Sequence, residues 1–101
     1  MKDLTRIREI YDAAFDRIKN VHIACFKDME DPLFLISNEY PGLWMEHTYD
    51  SVLLATIDPA YIYLAENAIN LFVDRQTDEG QLPFAVMDGS KHPSGKTAVC
   101  Y

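Results

Sequence analysis

Trp44, Glu46, His47, Tyr49 and Asp50 fall within seven residues of one another, at the head of the apolar run Val52-Leu53-Leu54-Ala55. These side chains are of kinds that handle neutral, hydroxyl-rich ligands. An indole and a phenol offer flat apolar faces, a carboxylate accepts hydrogen bonds, and a neutral imidazole both donates and accepts. A sugar ring needs that pairing, because its C–H bonds gather on its faces and its hydroxyls ring its edge. In such a site Trp44 and Tyr49 would be stacking platforms, Glu46 and Asp50 acceptors, and His47 a donor or acceptor. His47 and Asp50 are three apart, so they share a face if a helix starts here. A structural use of the same residues stands beside this one: Asp50 in a first helical turn answers free amides and the helix dipole, and Trp44 fills a core.

Other chemical patterns in the chain are weaker. Gly95-Lys96-Thr97 follows Gly89, but a phosphate-binding loop spaces its glycines by four residues and opens a helix. Here five residues intervene, His92-Pro93 interrupt them, and four residues follow Thr97. His22 and Cys25 form an H-x-x-C pair, half of what a structural zinc site requires. Glu46, His47 and His92 are the residues that could complete a set; a buried Cys25 and a hydrogen-bonded His22 are expected instead. There is no G-x-S-x-G elbow to expose a nucleophile. Neither a metal nor a cofactor is implied.

Composition bounds the partners. The chain has 101 residues, 49% of them hydrophobic and 25% charged, which suits one folded domain, or part of one, and not a disordered segment. Nine basic and sixteen acidic residues give a net charge of −7. Phosphate backbones and anionic membrane surfaces are therefore repelled over most of the surface. No run is long enough to span a bilayer, and the N-terminal stretch MKDLTRIREIYDAAF lacks the apolar core of a secretory signal. Cys25 and Cys100, far apart in sequence, are expected as free thiols, which fits a cytoplasmic protein.

Several elements must position the cluster. Leu4, Ile7, Ile10, Tyr11, Ala14, Phe15 and Ile18 recur at three- and four-residue spacing, which predicts an amphipathic helix capped by Asp3 or Thr5 and ended at Asn20. Two short extended pieces are expected at 21–26 and 33–36, and a loop at 38–42. A short helix is expected from about Thr48 to Ile57. Its apolar residues lie on every side, so it should be an inner element enclosed by other protein. Asp58-Pro59 signals a new helix, with a carboxylate cap followed by proline in the first turn. That helix is expected to run to Arg75 or Gln76, antiparallel to the one before it, as an αα-hairpin. Leu82–Val86 is a short apolar segment in which Pro83 argues against a central strand. A Gly/Pro-bearing loop follows at 87–96, and the apolar ending Ala98–Tyr101 reads as a cut inside an element.

The order Trp44–Ser51, apolar helix, Asp58-Pro59, second helix, then Gln76-x-Asp78-x-Gly80-x-Leu82-Pro83 resembles one αα-hairpin of the six-hairpin, or (α/α)6-toroid, glycoside hydrolases of the trehalase- and glucosidase-like kind. The likeness covers about residues 33 to 86. It implies that Asp50 contacts a substrate hydroxyl with Trp44 beside it, and that Gln76 and Asp78 line the pocket. Two departures are visible: Glu46-His47 stand where many members carry an aromatic or apolar pair, and Glu79 sets Gly80 one place further from Asp78. Glycoside hydrolysis uses two carboxyl groups, and in this family they lie on later hairpins, outside these residues.

The expected fold is mainly α: αα-hairpins of an incomplete toroid with short extended segments between them. The expected role is the N-terminal portion of a glycoside hydrolase acting on oligosaccharides, inactive alone, with Trp44, Glu46, His47, Tyr49, Asp50, Gln76 and Asp78 contacting sugar. The alternative is a small helical interaction or oligomerisation protein with no enzymatic role, which self-associates through exposed apolar surface.

Overall fold

A computed structural model of the chain describes residues 3–37 and 39–101. Helix α1 (Leu4–Arg17) begins where Asp3 accepts hydrogen bonds from the amides of Thr5 and Arg6 at 3.0 and 3.3 Å. The helix does not stop at Asn20. It widens into a π-helical turn, Ile18–His22, and ends where the chain enters strand β1 (Ile23–Ala24). Strand β2 (Leu33–Phe34) pairs with β1 antiparallel, Ile23 opposite Phe34 and Ala24 opposite Leu33. His22 extends this small ladder: its carbonyl accepts from the Leu35 amide, and its Nδ1–H donates to the Leu35 carbonyl, both at 2.7 Å. His22 is thereby a structural residue. Cys25, expected buried, is exposed, because the chain turns at Phe26–Met29 with Asp28 in the left-handed region (φ 62°).

The αα-hairpin is present. Helix α2 (His47–Ile57) and helix α3 (Ile62–Val73) are joined by a 3-10 turn at Pro59–Tyr61, and Asp58 caps that turn by accepting from the Ala60 amide at 3.0 Å. Helix α3 starts only after that turn and ends two or three residues before the expected Arg75 or Gln76.

The mainly-α expectation is corrected by two antiparallel sheets, which make the fold a mixture of three helices and short strands. The second sheet has the order β3 (Gly42–Trp44), β4 (Ala85–Met87), β5 (Ala98–Cys100), with Trp44 opposite Ala85 and Ala85 opposite Cys100. Strand β4 is therefore central. Pro83 does not prevent this, since it lies two residues outside the ladder and its missing amide is not required there. Gly42, expected in a loop, belongs to β3. A Cβ there would come within 2.9 Å of the Met87 Cα and meet the Val86 carbonyl, so glycine serves close strand approach. Asn38, the first residue of that expected loop, lies outside the described residues.

One core is formed by Phe26, Leu33, Leu35, Leu43, Ala68, Leu71, Phe72 and Val86, where the sheets meet α3. Leu54, Tyr61 and Leu64 form a second cluster inside the hairpin, against which Phe15, Ile18, Ile23 and Phe34 pack. The enclosed-helix expectation for α2 does not hold in this chain: Tyr49, Val52, Leu53 and Ile57 are exposed. Helix α1 buries no residue and stands off the body, in a molecule 56 Å long and 21 to 27 Å across.

Candidate functional site

Strand β3 runs directly into α2, and this junction holds the residues singled out in the sequence. The Met45 amide donates to the Phe84 carbonyl at 2.8 Å, fixing the strand end. The Glu46 side chain caps nothing. Instead, His47 turns back and its Nδ1 accepts from the Trp44 amide at 3.1 Å. That bond places the proton of the neutral ring on Nε2, so the free edge of the imidazole is a donor. His47 is only 7% exposed.

Trp44 and His47 are brought together, and the structure adds a residue the sequence reading missed. Tyr40 packs on both: ring centroids lie 5.0 Å apart for Tyr40–Trp44, 5.8 Å for Tyr40–His47 and 6.0 Å for Trp44–His47, all tilted. Trp44 is half-buried and Tyr40 is partly exposed, so one side of the cluster faces solvent. Tyr49 is not part of this platform; it lies exposed on α2. Glu46 and Asp50 are exposed too, and Asp50 occupies the first turn, where the helix dipole favours a carboxylate. His47 and Asp50 are three apart on α2, but the first points inward and the second outward.

Tyr40 is held by a network centred on Asp88. The Asp88 amide donates to the Pro41 carbonyl at 2.7 Å, and the Lys91 Nζ donates to the Tyr40 carbonyl at 3.1 Å. The Asp88 carboxylate, 4% exposed, accepts from the amides of Lys27 and Ser90, each at 3.0 Å. Burial raises the pKa of this carboxyl. The Lys27 and Ser90 amides, the Ser90 hydroxyl and the Lys91 charge lower it and prevail, so it falls below its ordinary value of 3.8.

Gln76 and Asp78 sit in the turn after α3. The Gln76 Nε2 donates to the Gly80 carbonyl at 2.8 Å, Gly80 takes a left-handed φ of 94°, and the Thr77 hydroxyl accepts from the Gln81 amide at 3.0 Å. Gln76 thus holds its own turn, and Asp78 is exposed. Between this turn and the start of α2 lies an apolar hollow of about 140 Å³ lined by Met45, Thr48, Ile69, Phe72, Val73 and Leu82.

A second concavity was not anticipated. Glu30 and Asp31 face Asn67, Asn70, Asp74 and Arg75 of α3 and its end across a polar cleft of about 190 Å³. Asn67 donates to the Pro32 carbonyl at 2.9 Å, which anchors the Asp31 loop on the helix. The signal was present in the sequence: Asn67, Asn70 and Asp74 repeat at three and four residues, a polar stripe on one helix face.

Among the described residues, no group of three or more His, Cys, Asp or Glu is arranged to hold a metal ion, and no helix is long and apolar enough to cross a membrane. Lys96 and Thr97 lead into strand β5 and not a helix, which rules out the phosphate-loop geometry. No protein-family model, no curated protein and no solved structure matches the chain.

Proposed function

We propose that these residues are part of a six-hairpin, (α/α)6-toroid glycoside hydrolase of the cytoplasm and contribute the sugar-contacting end of one hairpin, with the acid and base carboxyls supplied from elsewhere. One observation carries the reading: the Tyr40–Trp44–His47 cluster at the start of α2, with the exposed Asp50 carboxylate on the same first turn. The Tyr40 and Trp44 rings offer C–H stacking surface at the solvent side of the cluster, and the exposed Glu46 and Asp50 carboxylates at the start of α2 offer acceptors for the hydroxyl rim of a pyranose. The exposed apolar faces of α2 and α3 agree with helices that further hairpins would cover. Alone, the chain would bind and not hydrolyse, since hydrolysis requires a proton donor and a second carboxyl flanking the scissile bond.

The test uses the chain's single tryptophan. Titration with malto- and trehalose-type oligosaccharides should change Trp44 fluorescence in a saturable way, and Asp50→Asn should weaken that response while leaving the fold intact. In the complete polypeptide, the same substitution should lower turnover of aryl glycosides. Unchanged turnover removes Asp50 from the site, and flat titrations across common sugars refute binding by this chain. The competing reading is an interaction protein without enzymatic activity, favoured by the same exposed apolar faces. It predicts that no saccharide changes Trp44 fluorescence and that the complete polypeptide turns over no aryl glycoside.

A further inference from the structure

We infer that α1 is a self-recognition helix: two copies of the chain pair through it antiparallel, about a twofold axis near Ile10. The inference stands independently of the sugar reading. Leu4, Ile7, Ile10 and Tyr11 remain 71, 53, 60 and 45% exposed on this helix. Together they form a stripe of roughly 400 Å², a size at which an apolar patch on a monomer commonly serves an interaction. Leu4, Ile7, Tyr11, Ala14 and Ile18 alternate at spacings of three and four, the heptad pattern of a helix that packs along another helix. Helix α1 makes few demands on its own body, touching it only near its C-terminal end through Phe15 and Ile18, with Phe15 and Tyr61 centroids 6.3 Å apart.

Charge identifies the occupant as a second copy. On one flank of the stripe lie Arg8 and Asp12; on the other lie Asp3 and, toward the far end, Arg17. In an antiparallel pair centred on residue 10, residue numbers facing one another sum to about 20. That single register sets Arg8 of each copy against Asp12 of the other, and Asp3 of each against Arg17 of the other. Four ion pairs are formed and no like charges meet on these flanks. The same register sets Ile10 of each copy against its counterpart at the axis and brings Ile7 toward Ala13. The exposed faces of α2 and α3 cannot pair this way. Helix α2 carries Asp50 and helix α3 carries Glu66, with no lysine or arginine on either, so self-pairing there would oppose acid to acid. Twice the stripe plus its charged flanks approaches the roughly 1,000 Å² at which a specific interface becomes credible.

Sedimentation velocity of the whole chain over a wide concentration range tests this. The expected result is a monomer–dimer equilibrium that Ile7→Asp abolishes while circular dichroism of the body is unchanged. Arg8→Asp alone and Asp12→Arg alone should each raise the dimer dissociation constant roughly tenfold. An equimolar mixture of those two variants should dimerise as the unmodified chain does, because one copy then presents two carboxylates where the other presents two guanidinium groups. A monomer at every concentration overturns the inference, as does a dimer indifferent to Ile7→Asp. If the single variants weaken the dimer but the mixture does not recover it, the antiparallel register is wrong. Failure of saccharide binding would leave these outcomes untouched.

Discussion

Replacing Asp88 with alanine should loosen the aromatic cluster from a distance, and the size of the effect can be worked from two hydrogen bonds. The carboxylate accepts from two backbone amides at 3.0 Å in a site with almost no solvent. Hydrogen bonds to a charged group contribute about 1.5–3 kcal/mol each, and an amide left unpaired in a buried site carries its own desolvation penalty. Both amides share one oxygen and the carboxylate is itself desolvated, so the sum should be discounted to about 3 kcal/mol. That is a large part of the roughly 5–15 kcal/mol that holds a domain of this size together. Urea unfolding followed by Trp44 fluorescence reads it directly. Asp88→Asn keeps an oxygen acceptor without the charge and should lose about 1–2 kcal/mol.

The pH dependence supplies the sharper check. The folded carboxyl titrates below its ordinary 3.8, so its contribution is complete above that value and is lost as the pH falls through the folded pKa. The stability gap between the unmodified chain and Asp88→Ala should therefore be full at neutral pH and shrink below about pH 4. A gap equal at pH 7 and pH 3, or one under about 1 kcal/mol at pH 7, would refute the assignment of a charged clasp. The Pro41 carbonyl is bonded to the backbone of Asp88, not its side chain. Quenching of Trp44 should therefore change with Asp88→Ala only as far as the 88–91 turn moves.

Other expectations follow from single contacts. His47→Ala leaves the Trp44 amide without its acceptor and opens space beside two rings, so it should lower stability by about 2 kcal/mol and shift Trp44 emission; an unshifted spectrum would place Trp44 outside the cluster. Gly42→Ala forces a methyl into the β4 backbone and should cost about 1–3 kcal/mol by thermal melting, with the loss concentrated in amide exchange protection of the three-stranded sheet. Ser51 runs the other way. Its hydroxyl is fully buried in α2 without a partner, so Ser51→Ala should raise stability by up to about 1 kcal/mol, and a drop of that size would mean the hydroxyl is bonded. Asp28→Gly should likewise stabilise the chain by up to about 1 kcal/mol, since Asp28 holds a left-handed backbone conformation.

What could be read from the sequence was local. Asp3, Asp58-Pro59 and the three- and four-residue apolar spacing locate the helices because capping bonds and helical faces involve neighbours in the chain. The π-helical turn at Ile18–His22 was not visible, because it is set by the His22–Leu35 bonds across thirteen residues. Strand β4 was missed for a related reason: only its pairing with Gly42–Trp44, on the far side of the hairpin, makes it central. At the site, Trp44 and His47 were legible as members of one cluster, but Tyr40 joins them through a tertiary brace from Asp88 and Lys91 that no spacing rule encodes. Tyr49 was included for its proximity in sequence, and Gln76 and Asp78 for the resemblance to a six-hairpin glycosidase. One is turned away by helical geometry, one is occupied by its own turn, and the third lies exposed at its tip. The polar stripe on α3 was available to the same periodicity reasoning and was masked by the apolar residues between its members.

The position of β4 also orders the way the chain can fold. Gly42 meets Met87 only after the whole helical hairpin between them has been laid down. Bringing those ends together from an open coil costs loop-closure entropy, whereas a formed α2–α3 hairpin already returns the chain to its starting side. The local contacts of the hairpin therefore form first, and the sheet closes over it as a late clasp. Because that clasp carries Trp44 and braces Tyr40, the aromatic cluster is expected to be complete only once the sheet has closed.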